Sequence, residues 1–168
     1  VRDALATPGP APDGILLAAT HTHSGPGGYW NVPSAVPFMG RYRPEIFHGL
    51  VDGIAGAIRA AMGNLAPASM AWASVPASEG TSFNRRNRRL PVDPAVSLLT
   101  VHRATGGRMQ AVFFGAHPVV VAEHEPDAAS ACFPAEIIRR LEIGDDRALF
   151  FNGMAGGTSI LWVRNQGL

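Results

Sequence analysis

The chain contains no lysine: all fourteen of its basic residues are arginine. That excludes a Schiff-base lysine and a phosphate-loop lysine, and with them two broad kinds of chemistry. Cysteine is almost as scarce. Cys132 alone cannot form an internal disulfide, so the fold does not depend on oxidation and the compartment stays open. No apolar run reaches the length of a membrane span, and no charged-then-apolar leader opens the sequence. Charge is sparse too, with 16% of residues charged, 46% apolar and a net charge of +1. That balance favours a globular core and argues against disorder and against a bulk polyanion partner such as nucleic acid. At 168 residues the chain is one domain's worth, enough to bury a core.

What the chain does have is glycine and histidine gathered where apolar runs end. The stretch from Gly14 to Tyr29 reads GILLAATHTHSGPGGY. Ile15 to Ala19 is a short apolar run bounded by turn formers, which predicts a buried strand. His21 and His23 follow it. In an extended chain alternate side chains share a face at a spacing of roughly 6.5 to 7 Å, so the two imidazoles point the same way. They then offer two nitrogens to one metal, or one ligand and one proton-handling group, or simply a hydrogen-bonded pair closing the strand. Ser24-Gly25-Pro26-Gly27-Gly28 turns the chain sharply, and its glycines are expected to bring bare backbone close to whatever His21 holds.

Val1 to Ala6 reads as the tail of a helix, and Pro8 to Asp13 as a link into the first strand. Tyr29 to Arg43 carries two prolines and several aromatics without periodicity, the pattern of a long loop. Between Pro44 and Leu65, Ile46, Leu50, Ile54 and Ile58 recur every four residues, predicting a helix that starts at Pro44, stops at Gly63 and covers one side of a sheet. His48 falls on its polar face. Ala68 to Val75 is compatible with a strand, and Glu79 to Leu90 with a polar loop holding Arg85, Arg86, Arg88 and Arg89. That loop is solvated, or a site for an anion or a substrate carbonyl, or, least favoured, a nucleic-acid contact. Val96 to Arg103 and Arg108 to Gly115 form a hairpin around Ala104 to Gly107. His102 reads as an ordinary strand residue.

His117 differs from His102, because it directly follows the apolar strand and is held by Pro118, as His21 follows its own strand. Two such histidines from separate strands can converge on one metal. Glu123-His124-Glu125-Pro126-Asp127 is an acidic turn around a histidine. Phe133 to Leu141 predicts a short helix with Ile137, Ile138 and Leu141 inward and Arg139 and Arg140 outward, preceded by Cys132 as a small apolar residue. Arg147 to Phe151 predicts a buried strand. It opens into a glycine-rich loop, Asn152 to Ser159, able to aim backbone N–H groups at one oxyanion with Ser159 at its rim. The resulting fold class is α/β: a mixed β-sheet flanked by helices, the hairpin ruling out an all-parallel sheet.

In this order, Ala19 to Gly28, Asn84-Arg85, His117-Pro118 and Asn152 to Ser159 resemble the neutral/alkaline non-lysosomal ceramidase family in its N-terminal catalytic domain. The resemblance implies a zinc amidohydrolase that splits a ceramide-like lipid into a sphingoid base and a fatty acid. It implies Zn²⁺ held by His21 and His117, with His23 assisting beside the metal and the reacting carbonyl. Arg85 then contacts the reacting region, and Ser159 is the nucleophile or the group that orients the carbonyl. Such an enzyme meets its substrate at a membrane surface, and the resemblance is compatible with a secreted or periplasmic location. Oligomeric state is not legible.

The chain departs from the family at three places. Gly156-Gly157-Thr158-Ser159-Ile160 stands where the family has Gly-Asp-Val-Ser-Pro, and Cys132 where relatives carry an aspartate. The family also completes its zinc shell with a downstream glutamate and tyrosine, so the chain reads as an incomplete portion of a larger catalytic domain. Two alternatives follow: a catalytically inactive or divergent lipid-binding or interaction domain on the same fold, and a metal-dependent phosphoesterase using the His21 and His23 pair with Glu123, His124 and Asp127, and the arginine loop for phosphate.

Overall fold

The computed structural model describes residues 15–160, so the helix tail and the link expected before Gly14 lie outside the described residues. These residues form two compact units, one of residues 15–16 and 26–66, the other of 17–25 and 67–160.

In the first unit the expected loop is partly helical. A 3₁₀ turn at Pro33–Ala35 runs into α1 (Val36–Met39), each with a proline in its opening turn, where the missing N–H costs nothing. Gly27 and Gly28 serve this unit. Gly28 N–H donates to Met39 O at 2.6 Å, and a Cβ at Gly27 would collide with the same carbonyl. These two glycines therefore permit a close crossing of two backbones within this unit. α2 (Pro44–Met62) begins and ends as its sequence signals predict, with Gly63 N–H closing onto Arg59 O. Of its side chains only Ala55 is fully buried.

The second unit is built on a four-stranded mixed sheet. β1 (Ala68–Pro76), β3 (Ala95–Arg103), β4 (Met109–Phe114) and β5 (Arg147–Asn152) lie in the order β1-β3-β4-β5. The first two pairings are antiparallel and β4 with β5 is parallel. β2 (Ser82–Asn84) and β6 (Thr158–Ile160) make a separate antiparallel pair. Between β4 and β5 the chain crosses through α3 (Val120–His124) and α4 (Cys132–Leu141). This is a mixed α/β architecture, as the sequence implies.

Alternation in β4 shows how the core forms. Gln110, Val112 and Phe114 are buried while their neighbours are only half-buried. Successive side chains point to opposite faces, and α4 covers one of them. Val112, Phe114, Ala116 and Phe150 make the core, against which Phe133, Ile137, Ile138 and Leu141 of α4 pack. The Phe133 ring meets Phe150 edge-on at 5.5 Å and Phe114 at 6.4 Å. Arg139 and Arg140 turn outward, both pairing with Glu136. At the other end of β4 and β5, Arg108 grips Asp146 through its main-chain N–H and guanidinium at 2.6–2.9 Å. The sheet's opposite face carries Trp72, Phe113 and Phe151, with the two phenylalanines stacked at 5.0 Å and Trp72 59% exposed.

One strand expected from the sequence is absent. Ile15 to Ala19 is irregular, with Leu16 80% and Leu17 58% exposed. An apolar run becomes a strand only where its N–H and C=O groups find a ladder, and none of the described strands pairs with it.

Phe150→Ala is expected to lower unfolding stability by about 3–5 kcal/mol, the usual cost of emptying a buried aromatic site. The shift in the urea midpoint, at unchanged m-value, measures it.

Candidate metal and hydrolase site

β4 and β5 run parallel and in register, Phe114 facing Asn152, so both strands end at one edge of the sheet. In parallel sheets that carboxyl edge is where ligands are commonly bound, because the chain leaves each strand there in loops. His117 emerges from β4 at this edge. Its main chain is fixed by a bond from its N–H to Thr158 O at 2.8 Å and by a parallel bridge to Ser159.

His21 and His23 reach the same place without a strand of their own. Asn152 Nδ2 donates to Thr20 O at 3.1 Å while its Oδ1 accepts from Ala116 N at 3.3 Å. One amide thus ties the residue before His21 to the residue before His117. Thr22 Oγ1 donates to Ser130 O at 2.7 Å, Ser130 N–H donates to Ser24 O, and His23 N–H donates to Pro118 O. His21 adopts φ +64°, a left-handed backbone that non-glycine residues seldom take. With the turn that follows, it draws the two rings to 4.9 Å between centroids, nearer than an extended chain allows.

The three imidazoles converge. His23 Nε2 lies 3.3 Å from His21 Nε2 and 3.0 Å from His117 Nε2, and one nitrogen from each ring falls within 4.8 Å of the others. Zinc–nitrogen bonds of 2.0–2.1 Å at a tetrahedral angle place ligand nitrogens about 3.4 Å apart, so the donor set suits such an ion in kind and spacing. His117 is also prepared as a ligand. Its Nδ1 donates to Ala155 O at 3.3 Å, which leaves Nε2 as the acceptor facing His23.

Electrostatics favours the neutral rings of His23 and His117. His23 is held below the usual imidazole value first by burial, then by the charges of His21 and Arg85, with Glu123 acting in the opposite sense. The residue as a whole is exposed, so solvent screens much of this. His117 is lowered first by burial, against which its bond to Ala155 acts, and further by Arg85, His21 and His23.

Arg85 reaches this neighbourhood through the small sheet. Asn84 pairs with Thr158, and Arg85 N–H donates to Gly157 O at 2.9 Å. Ser159 is nearby but differs from its expected setting. It lies within β6, 7% exposed, opposite Phe83 and bridged to His117, rather than at the rim of a loop. The glycine-rich segment before it is likewise less open than expected, since the N–H groups of Gly153, Ala155 and Thr158 are taken by backbone carbonyls.

Glu123, His124 and Asp127 do not join the cluster, which among the described residues comprises His21, His23 and His117. α3 carries Glu123 and His124 on a short helix with their side chains exposed, and Glu123 still acts electrostatically on His23. Asn152 is the positioning group that sequence reasoning passed over. Its place at the end of an apolar strand, ahead of glycine, was the available signal.

Residues 11–125, more than half of the chain, match the sequence model described as neutral/alkaline non-lysosomal ceramidase, N-terminal. The chain belongs to that family. It is 34% identical over 117 residues to the neutral ceramidase of Mycobacterium tuberculosis, covering 61% of this chain and 18% of that protein. To the neutral ceramidase of Pseudomonas aeruginosa it is 30% identical over 105 residues, covering 55% and 15%. The crystal structure of the latter's neutral ceramidase shares the fold, with a TM-score of 0.77 at 24% identity over 90% of this chain and 26% of that one. The chain thus spans less than a fifth of the curated relatives' length. His21, His23, Arg85 and His117 fall inside the matched stretch, while Asn152 and Ser159 lie beyond it.

Asn152→Leu is expected to weaken metal binding by roughly 10- to 100-fold, the range for groups that orient a ligand, because it releases the backbone of the residues ahead of His21 and His117. Titration against a chromogenic zinc indicator checks this. A second expectation concerns acid. Because His23 and His117 are lowered in the folded state, the unfolded chain binds more protons below about pH 6.5, so metal-free stability is complete above that pH and falls as the pH drops. Melting curves between neutral and mildly acidic buffer show the fall, and His117→Gln reduces it.

Proposed function

We infer that the chain carries the histidine side of a zinc amidase site of the neutral ceramidase type, acting in the full-length parent protein on the amide of a ceramide-like lipid. The observation that carries this is the convergence of His21, His23 and His117 at the carboxyl edge of β4 and β5. In this reading His21 and His117 hold Zn²⁺, which when bound acidifies a water molecule and polarises a carbonyl.

The chain's own residues then divide the remaining work. His23 keeps its neutral ring under the influence of burial and Arg85, so it can accept the proton of the attacking water and return it to the leaving amine. Arg85, which acts electrostatically on both His23 and His117, supplies fixed positive charge for the oxyanion that develops as the amide carbonyl is attacked. Ser159 orients the carbonyl. The leaving group is a long-chain amino alcohol and the acyl product a fatty acid, so substrate approaches from a lipid surface.

His21→Ala and His117→Ala are each expected to lower zinc affinity more than about 100-fold, beyond what outer partners contribute, while His23→Ala leaves it within about tenfold. In the full-length protein, His23→Ala lowers kcat for a fluorogenic ceramide by about 10²- to 10⁴-fold, and a chelator abolishes turnover in every variant. Zinc binding that survives His21→Ala or His117→Ala would remove the site as drawn, and equal loss in His23→Ala would make that residue a ligand.

A further inference from the structure

The loop that leaves β2 is a built surface. Asn84 Oδ1 accepts from the N–H groups of Arg86 and Asn87, both at 3.1 Å, and Asn87 Oδ1 accepts from Arg89 N–H at 3.0 Å. Leu90 N–H closes the second turn onto Asn87 O at 2.9 Å. Two successive asparagine turns therefore set the backbone, and the side chains of Arg85, Arg86, Arg88 and Arg89 are all exposed around it. The Arg88 guanidinium lies 4.3 Å over the Phe83 ring, which holds it without neutralising it. Among the described residues no carboxylate forms an ion pair with any of the four. Leu90, beside them, is 54% exposed.

Four uncompensated charges in five positions stand out on a chain whose net charge is +1. A loop already shaped loses little freedom when it binds, so its charge is available for attraction. Guanidinium groups suit phosphate oxygens, which they meet with two parallel N–H bonds. The apolar neighbour distinguishes among phosphate-bearing partners. An exposed leucine flanked by arginines matches the boundary of a bilayer, where the apolar side chain enters the acyl region and the cations stay at the headgroups. A nucleic-acid duplex offers no such region, and Glu79 and Asp93 bracket the loop, so the basic stripe does not extend along a groove.

We propose that Arg86, Arg88, Arg89 and Leu90 dock this chain on an anionic phospholipid surface. The loop begins one residue after Asn84, which pairs with Thr158, and Thr158 O holds His117 N–H. Docking there keeps the histidine cluster at the lipid surface from which a membrane-borne substrate comes. Binding itself stands apart from the hydrolysis proposed above, because it is read without zinc or turnover, so the two can fail separately.

The test is co-sedimentation of the 168-residue chain with phosphatidylcholine vesicles and with the same vesicles containing phosphatidylglycerol. Binding is expected only with the anionic lipid, and it weakens as salt shortens the screening length from about 10 Å at 0.1 M toward 3 Å at 1 M. Each surface arginine is worth roughly a fivefold change in partitioning, so the Arg86→Gln, Arg88→Gln, Arg89→Gln triple variant is expected to lose on the order of 100-fold. Leu90→Ser lowers binding with its salt dependence unchanged. Arg139→Gln with Arg140→Gln, on α4, leaves binding as it is. An unchanged melting curve for the triple variant attributes its loss to the surface. Equal binding to both vesicles, full binding by the triple variant, a similar loss in the α4 variant, or tighter binding to an oligonucleotide duplex than to anionic vesicles each overturns the proposal.

Discussion

Asn152 ends β5 with both halves of its amide committed, the nitrogen to Thr20 O and the oxygen to Ala116 N–H. The rest of the site depends on that pair of bonds. β4 and β5 deliver their last residues to one edge because they are parallel and in register, but they contribute only His117 directly. His21 comes from a segment with no ladder, so its position rests on side-chain bonds to loops. Thr22 to Ser130 and Asn152 to Thr20 cross more than a hundred residues of sequence each. A buried polar group lost from such a net leaves its partner unsatisfied, which costs more than the bond itself contributes.

Geometry and electrostatics at the cluster agree with each other. Imidazoles this close, with His23 3.3 Å from His21 and 3.0 Å from His117, repel when protonated, and burial together with Arg85 already disfavours the charged form of His23 and His117. Neutral rings are the state in which histidine binds a metal or accepts a proton. The left-handed backbone of His21 belongs to the same arrangement: it is an unfavourable local conformation maintained because the surrounding bonds determine it, as is common at functional sites.

The arginine loop and the cluster are coupled through one narrow element. β2 and β6 are three residues each, yet they place Arg85 beside the histidines and send its neighbours outward. A single stretch of chain therefore lies by the histidine cluster at one end and faces solvent at the other. The aromatic face of the main sheet, with Trp72, Phe113 and Phe151, is a different surface from this one, and its exposure contrasts with the α4-covered side.

Much of the fold was legible because the signals were local. The four-residue apolar repeat from Ile46 to Ile58 with Pro44 and Gly63 at its ends, the hairpin around Gly106, and the stripe of Ile137, Ile138 and Leu141 each carry their own periodicity or turn chemistry. His21 and His117 stood out for the same reason, as histidines at the ends of apolar runs. Other features were not local. Ile15 to Ala19 has the composition of a strand but no partner among the described strands, Gly27 is required by a carbonyl twelve residues away, and Ser159 is buried by pairing with Phe83. Composition and periodicity determined which residues can form each element and which side chains can do chemistry. Tertiary structure alone decided which of them meet, because the meeting of His21, His23 and His117 is set by the register of two parallel strands and by hydrogen bonds across the length of the chain.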